Sequence, residues 1–198
     1  MGECTVDSIV LASTSPRRQE LLKALNIPFS VVSPDYEEQP VDGLDAAELA
    51  ELYSMKKVES VIKLKLSLTM PWVLGADTII CQGSRIFRKP ESREEAASML
   101  RSFSGTTHEV ITAISLYDSV TTFTTSKTSR NTVHFAPLTD EEIERYLDTG
   151  EWQGVAGGYR IQGRAAFFIH RIEGSWSGIV GLPLHELYAI LREHGYRI

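Results

Sequence analysis

Two arginines sit where a helix should not welcome them. Arg17 and Arg18 follow Ser13-Thr14-Ser15-Pro16, with Ser15 placed to cap a helix and Pro16 placed at its first position. They therefore fall at the second and third helical positions, where the macrodipole disfavours positive charge by roughly 0.3–1 kcal/mol each. An anion held by the helix N-terminus, the hydroxyls of Ser13, Thr14 and Ser15, and the two guanidiniums would compensate, and phosphate is the usual case. Two solvated arginines paired to Glu20 are the plainer alternative. Asp77 is the second anomaly, because it follows Val73-Leu74-Gly75-Ala76 and precedes Ile79-Ile80, at the end of or inside a buried strand. Metal ligation and general-base work are its functional readings, and a turn cap is the structural one.

Other residues gain meaning only beside these. Glu37 and Glu38 follow a strand end and could add oxygens to a magnesium-like ion, or be a solvated loop. Lys56 and Lys89 are candidate phosphate contacts that mean little singly. The stretch Ala156-Gly157-Gly158-Tyr159-Arg160-Ile161-Gln162-Gly163 reads as a closely approached loop whose aromatic and amide could face a base, or as a structural turn. Known cradles are missing: there is no Gly-Lys dipeptide for a phosphate-binding loop, no Gly-x-Gly spacing and no Gly-x-Ser-x-Gly elbow. The histidines show no metal-ligand spacing.

The elements that must position these residues alternate. Ser8–Ala12 is a short apolar strand, followed by the helix opened by Ser15-Pro16 with Leu21, Leu22 and Leu25 in phase. Phe29–Val32 is a second strand, and Ala46 to about Leu66 a long helix. Residues 72–80 form a strand carrying one acid, Arg85–Phe87 a short strand, and Ser92–Phe103 a helix with a capping box from Ser92 and Glu95. Val110–Tyr117 and Val120 to about Phe135 form a hairpin across Asp118-Ser119. Thr139 caps a helix ending near Gly150. The glycine-rich segment 150–181 is loop around one strand, Ala165–Ile169, and Pro183 opens a last helix ending near His194-Gly195. The expected architecture is one α/β domain over residues 1–198, a mixed sheet with flanking helices in two lobes around a cleft.

Composition bounds the function. The 198 residues carry 20 Lys+Arg and 26 Asp+Glu, so the formal charge is 20 − 26 = −6. That excludes a large basic field for nucleic-acid polymers, yet leaves room for a local cationic cluster. Cys4 and Cys81 form no Cys-x-x-Cys, the first residues do not resemble a signal peptide, and no run approaches the ~20 apolar residues of a membrane span. A cytoplasmic protein is expected.

Residues Ala12 to Leu22, Gly75-Ala76-Asp77-Thr78, Lys89-Pro90, Ser104-Gly105 with His108 and Thr112, and Ala156–Gly163 followed by Gly181-Leu182-Pro183 together resemble the Maf family of nucleoside triphosphate pyrophosphatases. The likeness runs nearly end to end. It implies hydrolysis of a nucleoside triphosphate to monophosphate and pyrophosphate with a divalent metal, magnesium or manganese. It also implies a fold similar to that of inosine triphosphate pyrophosphatases. By position, Asp77 matches the family's proton acceptor, and Ser13, Arg17, Arg18, Glu37, Lys56 and Lys89 match motif residues around phosphates and metal, with Glu38 a further metal candidate. Arg17, Thr78 and Gln162 match positions tied to substrate choice. Tyr-x-Ile-Gln-Gly resembles the subgroup acting on dTTP and UTP, a house-cleaning activity that extends to modified nucleotides. Val155 stands where that subgroup often has lysine. A homodimer remains open, as does a second class of protein, a nucleotide-binding regulator of cell division that uses the cleft without turnover. Such a binder would not need Asp77.

Overall fold

The computed structural model describes residues 7–39, 41–64 and 71–196. Among these described residues seven strands form one mixed sheet: β1 (Ile9–Leu11), β2 (Phe29–Val31), β3 (Trp72–Gln82), β4 (Arg85–Phe87), β5 (Thr107–Asp118), β6 (Phe123–Phe135) and β7 (Ile169–Glu173). Their order is β2-β1-β3-β5-β6-β7, with β4 on β3. β1 is parallel to both β2 and β3, and every pairing from β3 onward is antiparallel. The parallel part is made by two crossovers through α1 (Pro16–Ala24) and α2 (Ala46–Lys63). They run to opposite sides of β1, which leaves a crevice beyond its C-terminal end.

Alternation along β3 divides the core. Val73, Ile79 and Cys81 meet α2 residues such as Leu49, Tyr53, Val58 and Val61 on one face. Leu74, Ala76 and Ile80 meet the other helices: α1, α3 (Arg93–Phe103), α4 (Asp140–Leu147), α5 (Trp176–Val180) and α6 (Leu184–Glu193). Gly75 fixes how closely α2 can lie. A Cβ there would stand 2.5 Å from the Ser54 carbonyl oxygen and 2.7 Å from Val58 Cγ2, so the helix rests on bare backbone.

Several expectations shift. Residues Arg164–Phe168 form a 3-10 turn rather than a strand, and β7 begins only at Ile169. The apolar run misleads because Phe167 is 87% exposed. β6 starts at Phe123, since Val120 lies in the exposed turn, and β5 starts earlier, at Thr107. Ser92 Oγ accepts from the Glu95 N–H, but the Glu95 carboxylate accepts from the Glu91 N–H, so only half the box closes as expected. Cys81 is buried and free. Cys4, and the expected extension of α2 to Leu66, lie outside the described residues. Among the described residues no helix is long and apolar enough to cross a membrane.

Candidate active site

On one edge of β3, β1 pairs with Trp72–Leu74 and β4 with Ile80–Gln82. Between them that edge is open, and Asp77 and Thr78 sit in the opening. The loop after β1 and the N-terminus of α1 face it across a cleft of about 880 Å³. Helix α1 differs from its neighbours: Ser15 makes no side-chain cap, and the first turn carries no acid. By contrast α2, α3 and α4 have both devices, at Asp45, Ser92 and Thr139. The free N–H groups and positive end of α1 thus remain available to an anion.

Asp77 points to the α2 face and Thr78 to the opposite one. Asp77 Oδ1 accepts from Lys57 Nζ at 2.5 Å, and Glu38 Oε1 accepts from the same ammonium at 2.7 Å. Asp77 is only 4% exposed. Burial pushes its pKa above the ordinary aspartate value and Glu38 adds to this, while Lys57 and Arg18 oppose. Burial also pushes Glu38 up, but the charge and hydrogen bond of Lys57 outweigh it, and its pKa ends low.

On the other face, Arg18 is fixed at three atoms. Nε donates to the Gly181 carbonyl at 2.8 Å, Nη1 to Ser13 Oγ at 2.9 Å and Nη2 to Thr78 Oγ1 at 3.3 Å. The Thr78 and Thr112 hydroxyls lie 2.9 Å apart, and Thr112 donates to the Gly178 carbonyl at 2.8 Å. Because a hydroxyl has one proton and a carbonyl can only accept, Thr78 must donate to Thr112. Thr78 thus helps to hold Arg18, with one lone pair of its oxygen left uncommitted.

Of the residues singled out in the sequence, Ser13, Arg17, Arg18, Glu38, Asp77, Thr78, Lys89 and Gln162 line this one cleft. Two do not. Lys56 pairs with Glu59 at 2.8 Å on the outer side of α2. Neighbours on a helix point about 100° apart, and the face made by Ser54, Val58 and Val61 selects Lys57 instead. That spacing was the signal that could have found Lys57. Glu37 is exposed and outside the cleft, since it is the next residue, Glu38, that turns in to Lys57. Sequence reasoning also missed Arg88 and Arg160, which lie in the lining. Val155 is buried in the same wall.

Among the described residues no group of three or more His, Cys, Asp or Glu could cage a metal. The Glu38–Asp77 pair converges on a single cation, the Lys57 ammonium. Such a two-carboxylate, all-oxygen set fits a magnesium-type ion that completes its shell with substrate phosphates and water.

The loop that carries Gln162 has its own support. Tyr159 Oη lies 2.7 Å from His108 Nε2, among the rings of Phe103 and Phe135. That contact anchors the loop carrying Gln162.

An α/β sheet opened at a strand end, with an uncapped helix N-terminus and the fixed Arg18 guanidinium facing a buried carboxylate, defines an α/β protein whose cleft suits an anionic ligand. The chain belongs to the Maf family: residues 8–194 match the family model described as Maf-like protein. It is 41% identical over 190 residues to a protein of Pelotomaculum thermopropionicum named dTTP/UTP pyrophosphatase, covering 96% of this chain and 98% of that one. Proteins of the same name from Treponema denticola (41% over 204 residues, 96% and 98% covered) and Carboxydothermus hydrogenoformans (42% over 189 residues, 95% and 99% covered) are similar to it as well.

Proposed function

We propose that this chain hydrolyses nucleoside triphosphates, dTTP and UTP foremost, to the monophosphate and pyrophosphate, and so clears unwanted nucleotides from the pool. The observation that carries this reading is Asp77: an acid at the centre of a continuous strand, buried, raised in pKa and held by Lys57, at the mouth of an anion-receiving helix. A binder without turnover has no use for such a group. The names of the relatives, at about 40% identity over nearly full length, support the same activity.

In the reaction a water oxygen attacks the α-phosphorus opposite the oxygen that bridges to the β-phosphorus. Asp77 takes the water's proton, the bridging bond breaks, and pyrophosphate leaves with the bonding electrons. An elevated pKa makes Asp77 a better proton acceptor than an ordinary aspartate, and Lys57 keeps it ionised before the transfer. Pyrophosphate departs readily only when its charge is met, which Arg18, Arg17, Lys89 and the α1 N-terminus are placed to do. When bound through Glu38 and Asp77, magnesium or manganese would supply further charge neutralisation at the phosphates.

The test is pyrophosphate release from a panel of dTTP, UTP, CTP, dATP and GTP with Mg²⁺ or Mn²⁺, repeated in excess EDTA. Release from dTTP and UTP first, and loss in EDTA, is expected. Tight nucleotide binding without pyrophosphate from any member of the panel would instead mark a regulator.

A further inference from the structure

One cation in the cleft, Arg160, is left over by this reaction. Arg160 is half-buried in the cleft wall, and its backbone N–H donates to Tyr146 Oη at 3.2 Å, which ties the residue to α4 whatever its side chain. Its guanidinium carries five N–H donors. Among the described residues these meet a single acceptor, the Gln153 carbonyl at 3.3 Å from Nη2, and Nε is buried with no partner at all. Arg17 in the same cleft has no hydrogen bond or ion pair to the described residues. Burial and then the charge of Arg160 hold its pKa below the ordinary arginine value.

Several surface arginines are neutralised instead. Arg93, Arg101, Arg130, Arg145 and Arg171 each meet a carboxylate. Glu20 and Glu151 also line the cleft; the charge of Glu20 partly offsets the effect on Arg17 but makes no ion pair with it, and Glu151 accepts from the Arg164 backbone N–H at 2.9 Å. Two like charges set close together in a partly buried wall, one with an orphaned donor, are unfavourable until an anion joins them. A nucleobase edge offers neutral acceptors and cannot offset two charges, whereas a phosphate chain offers several charged oxygens at the spacing of paired guanidinium forks.

We propose that Arg160 and Arg17 form a subsite for the terminal phosphates, gripping the β- and γ-phosphates of the substrate and then the departing pyrophosphate. The proposal rests on the triphosphate reading of the cleft. It gives Arg160, which lies two residues from Gln162, a role in charge rather than in base choice, and it makes inorganic pyrophosphate a product inhibitor bound through this pair.

The probe is inorganic pyrophosphate, titrated by calorimetry against the wild type, Arg160→Gln and Arg160→Lys, so that affinity is read without turnover. Losing charge-assisted bonds in Arg160→Gln should weaken pyrophosphate about tenfold, with Arg160→Lys in between. The kcat/KM for dTTP should fall in parallel while its ratio to that for CTP stays fixed. Unchanged pyrophosphate affinity in a folded Arg160→Gln protein would overturn the proposal, whether the dTTP-to-CTP ratio moved, as for a base contact, or stayed put, as for a solvated arginine. A wild type that hydrolyses no nucleotide would defeat the pyrophosphatase reading alone, because the calorimetric arm still measures the subsite.

Discussion

Lys57 Nζ stands 2.5 Å from Asp77 Oδ1, bringing an ammonium from α2 into contact with a carboxylate from the middle of β3. Gly75 makes the contact feasible, because only a residue without Cβ lets α2 lie so near the strand. Asp77→Asn keeps volume and a polar contact while removing the proton acceptor. Turnover should be lost in a protein that still folds, because Lys57 keeps its ion pair with Glu38. Near-normal kcat in this variant would show that another group activates water.

Lys57→Met should act differently. It leaves Glu38 and Asp77 facing each other without their cation, and breaking a buried pair at one partner costs about 3–5 kcal/mol at neutral pH. The lysine lowers both carboxyl pKa values, so its removal raises them, and the acid limb of kcat/KM should move to higher pH. The stability deficit should shrink as pH falls, because protonated carboxyls no longer need the ammonium. A deficit that is the same at pH 4 and pH 7 would mean that Lys57 serves packing alone.

How much of this was readable beforehand follows from what each signal depends on. Local patterns sufficed for β1, α1 and β3, because a short apolar run, a Ser-Pro helix start and a lone buried acid are all one-dimensional features. The same holds for Arg17, Arg18 and Asp77. The choice between Lys56 and Lys57 depends on the rotation of α2 against β3, which is fixed by a contact 20 residues away in sequence. Thr78 is legible as a cleft residue, but its contacts with Arg18 and Thr112 need three elements in register. The segment 164–168 misled because its phenylalanines imitate a buried strand although Phe167 faces solvent.

His108 gives a prediction about stability. Burial, and then the charge of His134, pushes its pKa down to about 3, so it stays neutral beside Tyr159. In the unfolded chain a histidine titrates near 6.5. As pH falls from about 6.5 towards 3, the unfolded state binds a proton that the folded state refuses, and stability drops by up to roughly 1.4 kcal/mol per pH unit. His108→Phe removes this slope but leaves the Tyr159 hydroxyl unpaired, costing about 1–3 kcal/mol. Urea unfolding should therefore find the variant weaker at pH 7, with the gap narrowing or reversing at pH 4. Parallel curves would mean that His108 takes up its proton in the folded protein.

The base is the last point. Gln162 lines the cleft with an amide that makes no hydrogen bond to the described residues, on a loop anchored by the Tyr159–His108 contact. An amide offers one acceptor and one donor together, which matches the N3–H and a carbonyl of uracil or thymine. In the orientation that pairs with uracil or thymine the amide sets its oxygen against cytosine's unprotonated N3 and its NH2 against cytosine's amine, so selection against cytosine requires the loop to hold the amide in that one orientation. The mismatch is then worth about 1–3 kcal/mol, or ten- to a hundredfold in kcat/KM. dTTP and UTP should exceed CTP by that margin, and Gln162→Ala should flatten the ranking by lowering the favoured substrates. Thr78 accepts from Arg18 and gives its proton to Thr112, so Thr78→Val should loosen Arg18 and raise KM for all triphosphates alike. A Gln162→Ala enzyme that still prefers dTTP over CTP by the wild-type factor would move base recognition off this loop.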